Sequence, residues 1–228
     1  LARLGYVVAS IQYRLSGEAA FPAQLQDLQQ ALAFLRTHAA RFGIDASRIA
    51  LWGMSAGAHV GALGAVSCGA SQPAAVDAAQ AATACVQAFV GWFGAYDMVQ
   101  YAANPRTQAS LGRLFECGDR PCPSAVLARA SPTSFVDGGD PPVLLVHGID
   151  DSNSPASQSS SFAERLRTAG VAAELLLLPE VKHGLIGSSA ASTHAATTQA
   201  LAATFDFRSS GGIGGQHHGH AFASQSQM

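Results

Sequence analysis

The chain has 228 residues, 48% of them apolar and 12% charged, with a formal net charge of -2. That length can bury one substantial core, and the apolar fraction excludes a disordered chain. The near-neutral charge argues against a nucleic-acid or anionic-membrane partner, and no apolar run approaches the roughly 18 residues that cross a bilayer.

The first residues, Leu1-Ala2-Arg3-Leu4-Gly5, have no basic leader, long apolar core or initiator Met, and read as the middle of a protein rather than a signal peptide. A first strand is expected over 6–11. A helix over 23–40 follows, with Leu25, Leu28, Leu32 and Leu35 at helical spacing. Residues 48–52 form a strand that runs into Gly53-Met54-Ser55-Ala56-Gly57, and a small-residue helix continues to about residue 66. The Ala-, Ser- and Gln-rich stretch 68–84 is an excursion that a Cys68–Cys85 disulfide would close. Another strand is expected over 86–91, and 96–130 reads as short helices and loops beside the pocket. Residues 142–146 are a continuous apolar run of the kind buried in parallel sheets. A helix over 157–169, a last strand over 173–178 and a closing helix over 190–205 complete the pattern. This alternation predicts an α/β fold, a mostly parallel sheet flanked by helices, in one domain over 1–207. The Gly/His/Ser/Gln-rich tail over 208–228 is expected to be disordered, and the glycines around His217, His218 and His220 cannot preorganise a metal site.

Cys117 and Cys122 bracket a short polar loop suited to a small disulfide ring. No second pair or ligand-spaced His favours zinc. Two local cysteine pairs point to an oxidising compartment, secreted or periplasmic; four free thiols in a cytoplasmic enzyme is the alternative.

The segment 53–57 has the G-x-S-x-G pattern between a strand and a helix, the setting of a nucleophile elbow. Such a turn leaves Ser55 at a helix N-terminus, where backbone N–H groups face developing negative charge. A serine hydroxyl needs a base to take its proton and an acid to orient that base. Strand 142–146 ends in His147-Gly148-Ile149-Asp150-Asp151, and the last strand is followed by Glu180-Val181-Lys182-His183. Serine, acid and histidine therefore stand at successive strand ends, in the order of the α/β-hydrolase arrangement.

On these residues the chain resembles the α/β-hydrolase carboxylesterases of the hormone-sensitive-lipase-like and feruloyl- and acetyl-xylan-esterase-like (BD-FAE-like) group. Residues 5–15 and 16–27 are similar to the group's strand and helix start, Gly53 to His59 to its elbow, and Trp92 to Asp97 to its next strand end. The likeness runs over about 1–207. It implies Ser55 as nucleophile, His183 as base and Asp151 as acid, since the group's acid follows the histidine of its H-G-x-x-D turn by four residues. His147 is then a turn residue. The implied chemistry is two-step acyl transfer on a small-molecule ester, of a short acyl or aromatic kind, with no cofactor. Ala56, after the nucleophile, supplies one oxyanion-hole N–H. Phe93, Tyr96, Tyr101 and Phe115 are candidates for the pocket wall. Asp97 reads as a helix N-cap, Asp27 and Asp45 as capping or turn carboxylates, His59 as a packing or pocket-wall residue, and His194 as a surface residue of the last helix.

The chain also departs from the group. It has no H-G-G-G-like loop for a second oxyanion donor, and the group's central strand between 6–11 and 48–52 is missing. The expectation is an N-terminally truncated copy with weak turnover. A shortened paralogue in which strand 6–11 pairs directly with the elbow strand is the alternative. Ser154 stands where the group has a branched apolar residue and is expected to loosen the acid loop. A prolyl-oligopeptidase-type peptidase and a non-catalytic protein of the same fold are the competing functions.

Overall fold

The computed structural model describes residues 1, 2, 5–67, 84–187 and 219–224. The closing helix expected over 190–205, His194, Cys68 with the body of the 68–84 excursion, and His217 and His218 fall outside them.

Six strands form one sheet: β1 (Tyr6–Ser10), β2 (Ile44–Met54), β3 (Ala88–Trp92), β4 (Val143–Gly148), β5 (Ala173–Leu178) and β6 (Gly219–Ser224). Their order across the sheet is β1-β6-β2-β3-β4-β5, and every pairing is parallel. Helices α1 (Ala23–Thr37), α2 (Ala39–Phe42), α3 (Ala56–Ala65), α4 (Met98–Tyr101), α5 (Gln108–Leu114), α6 (Ser124–Ala128) and α7 (Ser157–Thr168) join or flank them. The helix expected over 23–40 breaks at His38, whose φ of -105° and ψ of 18° interrupt the helical path.

Alternation along the strands sorts two apolar faces, as a parallel sheet covered on both sides requires. Ile49 and Leu51 of β2, Phe89 of β3 and Val143 and Leu145 of β4 pack with Leu25, Leu28 and Leu32 of α1, Leu63 of α3 and Phe162 of α7. Ala50, Ala88, Val90, Leu144 and Val146 face the other way, with Trp52 and Trp92 packed against them. Among the described residues no helix is long and apolar enough to cross a membrane.

The tail departs from expectation where it is described. Gly219–Ser224, expected to be disordered, pair with β1 on one side and β2 on the other, from Tyr6↔His220 to Ser10↔Ser224 and from Ile49↔Ala221 to Trp52↔Ser224. Strand 6–11 therefore does not pair directly with the elbow strand. The physical reason is backbone satisfaction: a gap between β1 and β2 would leave two rows of N–H and C=O groups unpaired inside the sheet, and an extended segment closes both.

Candidate active site

Three strand ends on one edge of the sheet deliver the site, the edge where open α/β sheets bind ligands. The first is the end of β2. Ser55 adopts φ 52° and ψ -120°, a conformation that costs a non-glycine residue on the order of 1–3 kcal/mol. The turn is tight enough that a Cβ on Gly53 would overlap the Gly57 carbonyl, so glycine is required there. The Ser55 N–H donates to the Trp92 carbonyl at 2.9 Å, tying the elbow to β3. Ala56 is the first residue of α3, and its backbone N–H makes no backbone hydrogen bond among the described residues.

The ends of β4 and β5 are laced together. Ile149 N–H donates to the Leu178 carbonyl at 2.9 Å and Asp150 N–H to the Val181 carbonyl at 3.0 Å. A Cβ on Gly148 would overlap that same Val181 carbonyl, so the close approach of the two loops depends on glycine. The lacing sets His183 beside Asp151. His183 Nδ1 donates to Asp151 Oδ2 at 2.6 Å, and His183 Nε2 lies 3.0 Å from Ser55 Oγ. Phe93 packs edge-on against the His183 ring at a centroid distance of 4.9 Å. Asp151 is buried whereas Asp150 is exposed, which separates the two neighbouring carboxylates.

Asp151 is held at every side. Its Oδ1 accepts from the backbone N–H groups of Asn153 and Ser154, each at 2.9 Å, and its Oδ2 also lies 3.3 Å from His147 Nε2. Burial pushes this carboxyl up, but the hydrogen bonds from His147, His183 and Ser154 outweigh it and hold Asp151 well below the usual carboxylate range.

A cavity of about 380 Å³ opens beside Ser55. Phe93 and Tyr101 line it, as do His59, Phe21, Met54 and Met98. Tyr96 does not: it is fully buried and stacks on Phe162 at a centroid distance of 4.6 Å, because its ring points into the core between the sheet and α7. Phe115 stands behind the wall, packed edge-on against Phe21 at 5.7 Å. His59 donates from Nε2 to the Ala130 carbonyl at 2.7 Å, and burial drives its imidazole down to about 4.

Ser154 does not loosen the acid loop. Its Oγ donates to the Gly94 carbonyl at 2.9 Å, so a polar side chain pins the loop to the end of β3. Asp97 caps α4, accepting from Val99 and Gln100 N–H, whereas Asp45 lies within β2 rather than in a turn and accepts from the N–H and Oγ of Ser47. Asp27 is neither cap nor turn: it sits inside α1 and pairs with Arg14, Nη2 to Oδ1 at 2.7 Å. Cys117 and Cys122 form a disulfide, and Cys85 is disulfide-bonded. Among the described residues no three His, Cys, Asp or Glu side chains converge as a metal site would require.

Two contributors escaped the sequence reading. His147 looked like a turn residue, although its i,i+4 spacing to Asp151 hinted at contact. Gln24 lines the cavity from α1, and an interior glutamine next to an apolar stripe carries no such hint.

The BD-FAE family model matches residues 1–166. The chain is 34% identical to the esterase LipQ of Mycobacterium tuberculosis over 173 residues, 75% of this chain and 41% of that protein. It is 33% identical to the probable carboxylic ester hydrolase LipM of the same organism over 214 residues, 90% of this chain and 48% of that one. Among solved structures it resembles a truncated form of a carbohydrate esterase from gut microbiota, with a TM-score of 0.69 and 30% identity over 86% of this chain and 73% of that one. The chain spans about half the length of the curated relatives it matches.

Proposed function

The chain belongs to the BD-FAE family, and from that premise we propose that it hydrolyses carboxylic esters through an acyl-enzyme on Ser55. The observation that carries the proposal is the unbroken relay from Ser55 Oγ to His183 Nε2 at 3.0 Å and from His183 Nδ1 to Asp151 Oδ2 at 2.6 Å. In this reading His183 takes the Ser55 proton as Oγ attacks the ester carbonyl, then gives it to the departing alcohol. Water repeats the two transfers on the acyl-enzyme and releases the acid. Asp151 fixes the imidazole with its proton on Nδ1 and stabilises the cation that forms. The Ala56 N–H faces the developing oxyanion.

The esterase names of LipQ and LipM favour this chemistry over the peptidase and non-catalytic alternatives. The mixed apolar and aromatic cavity suits a small-molecule ester with a short acyl or aromatic group. The Cys117–Cys122 disulfide supports an oxidising compartment, secreted or periplasmic.

A fluorophosphonate probe tests the nucleophile: it should label Ser55 and leave the Ser55→Ala variant unlabelled. Labelling that survives the substitution would overturn the assignment.

A further inference from the structure

We propose that the slot between β1 and β2 is a binding site for one extended peptide strand. This chain fills it with its own segment Gly219–Ser224, and filling it fixes one wall of the substrate cavity. The link to the cavity rests on the esterase reading above; the slot itself does not.

The two rims of the slot are parallel and one strand apart. β6 meets β1 in five register pairs, Tyr6↔His220 to Ser10↔Ser224, and β2 in four consecutive ones, Ile49↔Ala221 to Trp52↔Ser224. Main-chain groups make both ladders, so the class of ligand is an extended peptide rather than a particular side chain. Among the described residues β1 has no other strand partner. Its place in the sheet therefore depends on whatever lies in the slot.

That dependence reaches the site. The connection from β1 to the first turn of α1 supplies Tyr13, Leu15, Ser16, Phe21 and Gln24 to the cavity. Ser55, Asp151 and His183 instead follow the ends of β2, β4 and β5, which are joined through β3 without β6. An occupied slot ties the wall to the relay across the sheet, and an empty one parts them there. The wall is also fastened at its far end. Arg14 pairs with Asp27 of α1 at 2.7 Å, and the Phe21 N–H donates to the Leu114 carbonyl at 2.8 Å. Emptying the slot should therefore loosen the wall yet leave its frame standing, open to a free peptide. In the intact chain the tethered segment competes at high effective concentration and keeps such a peptide out.

The test uses the full chain and its Ala221→Pro/Ala223→Pro variant, which removes two backbone N–H groups from the ladders. The probe is a fluorescein-labelled peptide of residues 216–228. By fluorescence anisotropy the variant should bind it saturably, and wild type about tenfold more weakly or less, because its own strand holds the slot. The same peptide carrying both prolines should not bind. In hydrogen exchange the amides of 6–10 should be protected in wild type and exchange about tenfold faster or more in the variant. KM for p-nitrophenyl butyrate should rise severalfold in the variant with kcat little changed, and saturating peptide should reverse the rise. A folded variant that ignores the peptide overturns the slot. So does a wild-type chain whose 219–224 amides exchange as fast as an unstructured chain, a result that decides even if the variant does not fold. Peptide binding with no change in KM overturns the link to the cavity. If neither chain hydrolyses the ester, the esterase reading falls while binding and exchange still decide the slot.

Discussion

His147 Nε2 lies 3.3 Å from Asp151 Oδ2, with both side chains closed to solvent. The same nitrogen meets the Ser154 carbonyl at 2.7 Å, which can only accept, so Nε2 carries the proton. Nδ1 lies 2.7 Å from Ser159 Oγ. An imidazole engaged at both ring nitrogens thus meets the same Asp151 oxygen as His183 while bracing the loop that carries it.

The first prediction is that His147 positions Asp151. His147→Leu should slow fluorophosphonate labelling of Ser55 by about tenfold, and strand the Ser154 carbonyl and Ser159 hydroxyl at a cost of about 2–3 kcal/mol. His147→Gln retains an N–H donor and should recover most of the labelling rate. Labelling rates across pH, beside urea melts, separate positioning from stability. A folded Leu variant that labels at the wild-type rate would reduce His147 to packing.

Asp151→Asn offers the imidazole an amide in place of a carboxylate and should lower the acylation rate by about 10⁴, as loss of tautomer control does in such relays. The substitution also reports on stability. The Asp151 pKa lies below its unfolded value of about 3.9, so its contribution is fully present above that value and is lost as pH falls through the lower folded one. The stability gap between wild type and variant should be level above about pH 5 and close at more acid pH. A gap that widens on acidification would contradict the assigned direction.

Much of this arrangement is legible in the sequence because it depends on short-range constraints. An apolar run of six or so residues commits β4 to a buried parallel strand, and the small residues around Ser55 permit little besides a tight turn. Asp151 could be separated from Asp150 by resemblance alone, since both follow the same strand. What distinguishes them physically is the lacing of Ile149 and Asp150 onto the β5 loop, a contact between segments about thirty residues apart. Tyr96 misleads for a related reason: a tyrosine beside the elbow strand suits a pocket, but only the placement of α7 shows that its ring stacks on Phe162. The strand at 219–224 was illegible because its glycine- and histidine-rich neighbourhood masks a pairing decided by two distant strand edges.

His59 should make the fold acid-sensitive. Its imidazole is driven by burial from the ordinary 6.5 to about 4, and the unfolded chain binds the proton the folded one refuses. Its contribution to stability is therefore intact above the ordinary value and falls between there and about 4 by up to about 1.4 kcal/mol per pH unit, levelling below that. His59→Gln keeps an N–H donor for the Ala130 carbonyl but cannot titrate in this window. Denaturant melts from pH 7 to 4 should show a shallower loss for the variant, and parallel curves would show that His59 takes up its proton without unfolding.

The Cys117–Cys122 ring closes the connection between α5 and α6, with the two Cα atoms 5.3 Å apart. Leu111 and Leu114 of α5 line the cavity, so the ring bears on the substrate wall rather than on the Ser55–His183–Asp151 relay. Closing so short a loop restricts the unfolded chain and is worth about 2 kcal/mol. Replacing both residues by serine should lower stability by that amount. It should also raise KM for p-nitrophenyl butyrate severalfold while kcat changes by less than twofold, because Ser55, Asp151 and His183 are carried on the ends of β2, β4 and β5. Melts and steady-state kinetics on the double variant measure both effects. A fall in kcat with KM unchanged would mean that the α5–α6 connection acts on the chemistry itself.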